Sequence, residues 1–330
     1  MLDPNARFLH GSTMSHVTRM TITGMLGLTF MFVVDLANLF WISRLGDERM
    51  VAALGFAWNV QFFSISVGIG LMIGATALVS KAIGQGRRED ARKFATGCIL
   101  LGVCVQALVA ILIVIFRSKI VAFTGATGET ALLAERFLLI SVPTLPLMAI
   151  GMIGSAILRS EGDAYRAMFV TMSAGLVAVI ADPILIIWLE MGLDGAAINT
   201  GLSRLVSTSI AVWSVIRVHN LLGRLNLSII KLVPVPFLII AMPAILTQLS
   251  GPFASFIITR AIAEFGDSAV AGLSVVNRLT VVAFGGIFSL SAAIGGIFGQ
   301  NFGAQMFDRV RSTYWNSIIF CFIYTLVAWL

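Results

Sequence analysis

The sequence predicts an all-α polytopic membrane protein, and three observations carry the prediction. Hydrophobic residues make up 58% of the 330 and charged residues only 12%, about half the charged share of a soluble domain. Mean hydropathy is +0.97. The apolar residues gather into nine runs, each about as long as the roughly 20 residues a helix needs to cross a bilayer.

In order, the runs cover about 20–42, 51–78, 94–116, 132–157, 167–189, 195–216, 236–259, 269–297 and 310–330. The first holds one carboxylate, Asp35, inside FMFVVDLANLF. Between the second and third lies GQGRREDARK (84–93), the densest charge cluster, read as an anchor that sets topology. SEGDAYR (160–166) reads as a tight turn between the fourth and fifth. The fifth carries Asp182 followed by Pro183, a bend signal. The sixth carries Asn199, Thr200 and Arg204. The longest connection, near 217–235, reads as a cytoplasmic linker, which divides the chain into a six-helix lobe (1–218), a linker (219–235) and three further helices (236–330).

Basic residues orient the bundle. With a cytoplasmic N-terminus, 14 Lys and Arg fall in inside segments and 5 in outside ones, which the positive-inside rule favours. The net charge of +6 therefore belongs to the loops, and nucleic acid is not an expected partner. The cysteines (98, 104 and 321) lie in apolar runs and the histidines (10, 16 and 219) are scattered, so neither a disulfide framework nor a metal site is expected.

A repeat runs through the chain. VAALGFAWNV (51–60) aligns on VAGLSVVNRL (270–279), and KAIGQGRREDAR (81–92) meets QNFGAQMFDRVR (300–311) at the same offset of 219. Six spans separate the equivalents, so the units share one orientation, as in parallel-repeat transporters. Two full units need about 440 residues, so about three helices of the second unit are expected to be missing.

These residues resemble a known family. LGDERMVAALG, GLMIGATALVSKAIGQGRREDAR, LRSEGDAYRAM, DPILIIWLEMGLDGAAINTGLS and FGDSAVAGLSVVNRL with GQNFGAQ are similar to the MATE multidrug extrusion transporters. The resemblance implies two six-helix lobes around a central cavity, alternating access, and export of organic cations in exchange for H⁺ or Na⁺. In the prokaryotic branch one acid sits on the first helix and one on the fifth, and Asp35 and Asp182 match those positions. The branch's usual Asn one turn before the second acid is Ala178 here, which favours H⁺. The expected partners are cationic amphipathic small molecules and membrane lipids. The protein is expected to be a monomer of a prokaryotic cytoplasmic membrane and not an enzyme, with no cofactor beyond the coupling ion.

Helix geometry supports the same pairing independently. Asp35 and Asp182 each lie about 22 Å along parallel spans from the inner face at about 1.5 Å per residue. Asn199 and Thr200 on the returning sixth span reach similar depth, and Asn38 is one turn from Asp35. A carboxylate in lipid costs at least about 2.5 kcal/mol, so each acid must be paired, protonated or turned to a cavity. Oxygens of Asp35, Asn38, Asp182, Asn199 and Thr200 suit a proton switch or, as the alternative, a Na⁺ held at Asp35 and Asp182. A packing hydrogen bond is the bland reading of each. Arg204 is a candidate counter-ion. Gln248, Asn277, Arg204 and Arg278 are candidate cavity residues. The offset places neutral Ser255 or Ala254 opposite Asp35 in the second unit. The runner-up function is a lipid-linked oligosaccharide flippase of the same superfamily, disfavoured because only Arg204 and Arg278 offer positive charge to a lipid phosphate.

Overall fold

The computed structural model describes residues 6–223, 226–263 and 267–329. Among them a short 3-10 turn, Arg7–Leu9, precedes eleven α-helices. These are α1 (Thr13–Ser43), α2 (Glu48–Gly84), α3 (Arg88–Phe123), α4 (Gly128–Ser141), α5 (Leu145–Ser160), α6 (Ala164–Asp182), α7 (Gly192–Trp213), α8 (Leu227–Leu232), α9 (Pro234–Ala263), α10 (Asp267–Gly303) and α11 (Phe307–Trp329). The described residues form no strand.

The helices α4 and α5 are one membrane crossing broken at Val142–Thr144, where Pro143 lacks the N–H that α-helix would need. The run 132–157 predicted from sequence covers both. Seven described segments are long and apolar enough to span a bilayer, against the nine runs read from sequence. The helices α7 and α11 are formed but fall short on hydropathy. In α7 the cause is visible: Asn199 and Arg204 are buried, so its polar face is turned inward.

The repeat reappears as reciprocal packing. The helices α2 and α10 are both 37 residues long, or about 55 Å, well beyond a hydrocarbon core of about 30 Å. Helix α1 packs on α10, and its counterpart α9 packs on α2. Where α2 and α10 cross, a Cβ on Gly84 would overlap the Gln300 carbonyl, and a Cβ on Gly303 would overlap the Lys81 carbonyl. Positions 81 and 84 are the repeat equivalents of 300 and 303, so this is one contact made twice. Ser80 touches Gly299, its own equivalent, which puts that pair on the pseudo-twofold axis. Glycine at the crossing allows the two backbones to touch, the usual device for close helix approach in membranes.

The end of the bundle that carries the basic residues is tied by polar contacts. Gln300 accepts from the Phe8 amide at 3.1 Å and donates to the Ser160 carbonyl at 2.6 Å. Arg309 donates to the carbonyls of Phe8 and Gly11. The charge cluster 84–93 does more than anchor. Arg88 pairs with Glu161 at 3.2 Å and donates to the His219 carbonyl at 2.8 Å. His219 lies 2.9 Å from Asp163, which also pairs with Arg166. The linker is correspondingly less free than its sequence suggests. Arg92 holds Asn220 and the Leu222 carbonyl, and α8 lies within it.

Burial pushes the Asp163 carboxyl up, but hydrogen bonds from His219 and Arg166 outweigh it and hold the group below the usual carboxylate range. A carboxylate depressed in the folded state adds stability above its unfolded value of about 3.9 and loses it as pH falls toward the folded value. Thermal stability in detergent is therefore expected to decline below about pH 4. Asp163→Asn should flatten that decline, and an unchanged pH profile would remove Asp163 as its cause.

Candidate functional site

Three of the residues singled out from sequence converge. Asp182 is the last residue of α6 and 0% exposed. Its two oxygens accept from two different helices: Oδ2 from Asn38 Nδ2 of α1 at 2.9 Å, and Oδ1 from Asn199 Nδ2 of α7 at 2.6 Å. The second N–H of Asn199 goes to the Ala178 carbonyl at 3.1 Å. The Asn199 amide oxygen is buried and has no hydrogen-bond partner among the described residues.

Local sequence explains why the acid sits here. Pro183 cannot donate, and the chain passes into a π-helix over Pro183–Trp188, a wide turn often found at functional sites. Gly195 of α7 stands against the Leu185 carbonyl of that turn, where any Cβ would collide. The close approach of α6 and α7 brings Asn199 onto Asp182. Both carboxyl oxygens of Asp182 are thereby placed as acceptors of side-chain amide N–H groups.

Asp35 lies on the exposed side of α1, one turn before Asn38. It thus shares the α1 segment that reaches Asp182. Thr200 stands apart, its hydroxyl donating to the Ala196 carbonyl one turn earlier in α7. Gln248 is half-buried on α9 and makes no hydrogen bond among the described residues. Asn277 and Arg278 belong to α10, but their side chains lie outside the described residues.

Arg204 is neither a counter-ion to the acids nor open to a cavity. Its guanidinium, 9% exposed, donates to the Ser141 carbonyl (2.9 Å), the Thr144 hydroxyl (2.7 Å) and Gln61 Oε1 (2.7 Å). These groups surround the break at Pro143. Arg204 therefore satisfies backbone that the broken helix leaves without an α-helical donor. Gln61, on α2, was not singled out from sequence. A glutamine inside the apolar run WNVQFFS was the available signal. Arg204→Leu is expected to cost about 1–2 kcal/mol by stranding these acceptors. Adding Gln61→Leu should recover part of the loss in detergent melting, and a fully additive double variant would show that the two side chains do not cooperate.

The comparisons agree with this architecture. The MatE family pattern matches residues 22–184 and 243–330. The two segments begin 221 residues apart, close to the repeat offset. A protein of Shewanella oneidensis named FAD transporter is 28% identical over 311 residues, which is 92% of this chain and 69% of that protein. Multidrug export protein MepA of Staphylococcus aureus (strain NCTC 8325 / PS 47) is 24% identical, over 85% of this chain and 63% of its own length. Among solved structures, MATE in the straight conformation matches with a TM-score of 0.88 and 25% identity over 99% of this chain and 74% of that one. A mutant of the Vibrio cholerae MATE transporter VcmN matches with a TM-score of 0.89 at 24% identity, over 98% of this chain and 73% of that one. The chain thus spans roughly two thirds of its named relatives, all of which are transporters and not enzymes. With the family pattern covering most of its length and the described helices in the family's arrangement, this multi-pass membrane protein belongs to the MATE transporters.

Proposed function

We propose that the transporter of which this chain forms a part exports amphipathic organic cations across a prokaryotic cytoplasmic membrane, in exchange for H⁺ taken up at Asp182. The observation that carries the reading is the buried Asp182 carboxylate with its paired amides from α1 and α7. The working units are the six-helix lobe 1–218 and the second lobe that begins at 236, joined by 219–235.

Protonation of Asp182 changes what its neighbours must do. A carboxyl O–H donates, so one of the two amides must turn its oxygen inward. Asn199 would lose both of its hydrogen bonds by turning. Asn38 would lose one, and it is only half-buried. Asn38 is thus the amide that turns. It sits on α1 together with Asp35, so the proton on α6 is felt by the helix that packs against α10. Asp35 is the exposed acid from which the proton arrives.

Na⁺ is the second reading of the coupling ion, and one observation favours it. The unpartnered Asn199 oxygen beside Asp182 offers a neutral ligand to a hard cation. For the substrate, the relative named FAD transporter raises an anionic flavin. Against that reading, the Arg204 guanidinium is committed to neutral acceptors inside the lobe. The deciding experiment places the full-length transporter in proteoliposomes and follows ethidium and FAD movement under imposed pH or Na⁺ gradients. Ethidium movement that follows pH and ignores Na⁺ is expected. Movement that follows Na⁺ alone would overturn H⁺ coupling, and FAD movement without ethidium would overturn the cation substrate.

A further inference from the structure

We infer that the basic-rich end of the bundle carries a built site for the headgroup of an anionic phospholipid, between the starts of α1 and α6 and the end of α7. A cavity of about 500 Å³ opens there, lined among others by Arg7, Asp163, Tyr165, Arg166, Phe169 and Trp213. A third arginine joins it, because the Arg19 guanidinium stacks 5.0 Å from the centre of the Tyr165 ring.

The charge favours an anion. Asp163 is the carboxylate in the lining, and Arg166 and His219 already occupy it. Among the described residues neither Arg7 nor Arg19 has an acidic partner, and both are exposed. Two positive charges are left over, Arg7 in the cavity wall and Arg19 over the ring of Tyr165, which lines it. Arg7 is placed there by the backbone. It packs on Gly162, whose φ of 77° and lack of space (a Cβ would meet Arg7 Cβ at 3.2 Å) admit only glycine.

The apolar half favours a lipid over a soluble anion. Tyr165, Phe169 and Trp213 are 51%, 58% and 58% exposed. They continue into the outward-facing apolar residues Leu176 and Ile180 of α6 and Leu205 of α7. An aromatic collar with arginines at the helix ends is the composition expected at the membrane interface. The leftover charge lies at the end predicted to face the cytoplasm, where the leaflet is negatively charged. The cavity would take the phosphodiester against Arg7 and Arg19, with one acyl chain along Phe169 and the α6–α7 seam.

Native mass spectrometry of the full chain in detergent, titrated with dioleoyl-phosphatidylglycerol or dioleoyl-phosphatidylcholine, tests this. The wild type is expected to retain one phosphatidylglycerol in preference to phosphatidylcholine. Each arginine is worth about fivefold in affinity, so Arg7→Gln with Arg19→Gln should lower retention by roughly 25-fold. A charge-matched control, Lys231→Gln with Arg311→Gln, should keep it. Melting curves of both variants establish that they are folded. Equal retention of the two lipids by the wild type, or equal loss in both double variants, would overturn the site. So would displacement of the lipid by millimolar inorganic phosphate, since that would make it a site for the free anion.

Discussion

Asp182→Asn is expected to abolish ion-coupled efflux while leaving the protein folded and slightly more stable. The substituted amide fits the same space between Asn38 and Asn199 and can still accept from one of them. It carries no charge, so the desolvation that a buried ion imposes is gone. It also has no proton to exchange, so a pH gradient has nothing to act on there. Asn199→Leu gives the opposite pattern. It removes the donor to Asp182 and the donor to the Ala178 carbonyl, and leaves a buried charge with one partner. A stability loss of about 3 kcal/mol is expected. Melting temperature and dye efflux measured on the two variants separate the roles. Retention of pH-driven efflux by Asp182→Asn would sink the proposed coupling site.

The second large effect belongs to the α2–α10 crossing. Gly84→Leu and Gly303→Leu should each destabilise the contact by about 1–3 kcal/mol or more, because the added atoms meet backbone carbonyls and not side chains that can move aside. The two positions are repeat equivalents making one contact twice, so their effects should match. Gly55→Ala serves as the control, since nothing lies within 4 Å of its would-be Cβ. It is expected to be neutral or to gain up to about 1 kcal/mol from helix propensity. Spin labels at positions 87 and 307, on a background without Cys98, Cys104 and Cys321, report the crossing directly. The label distance should lengthen in both leucine variants. An unchanged distance with unchanged melting would show that the crossing does not need glycine.

Both predictions rest on features of unequal visibility in the sequence. Asp182 stands out because a charge in an apolar run must be explained, and Asn199 lies at matching depth on the next span. The offset of 219 could be read from VAALGFAWNV and VAGLSVVNRL alone. That Gly84 and Gly303 touch each other's repeat could not, since glycines are common in spans and only the crossing tells which ones meet. Arg204 was misplaced for a similar reason. From sequence it lies one turn beyond Thr200 and invites pairing with an acid. The helix carries Asn199 and Arg204 to different neighbours, one toward α6 and the other toward Gln61 and the broken carbonyls near Pro143. Likewise Arg88, Glu161, Asp163 and His219 come from three loops that look like separate polar turns.

The amino-acid sequence by itself determined the membrane-spanning character of the helices, the repeat and the two acids. Each of these follows from local composition and spacing, because lipid demands long apolar helices and penalises any charge within them. Only the tertiary structure decided which polar groups serve Asp182, that Arg204 mends a helix break, and that Arg7 and the Arg19-stacked Tyr165 line one cavity. Hydrogen bonds reach about 3 Å, so their partners depend on how each helix is rotated and how closely it approaches its neighbour. In this protein those are set by glycines and prolines acting between helices distant in the chain.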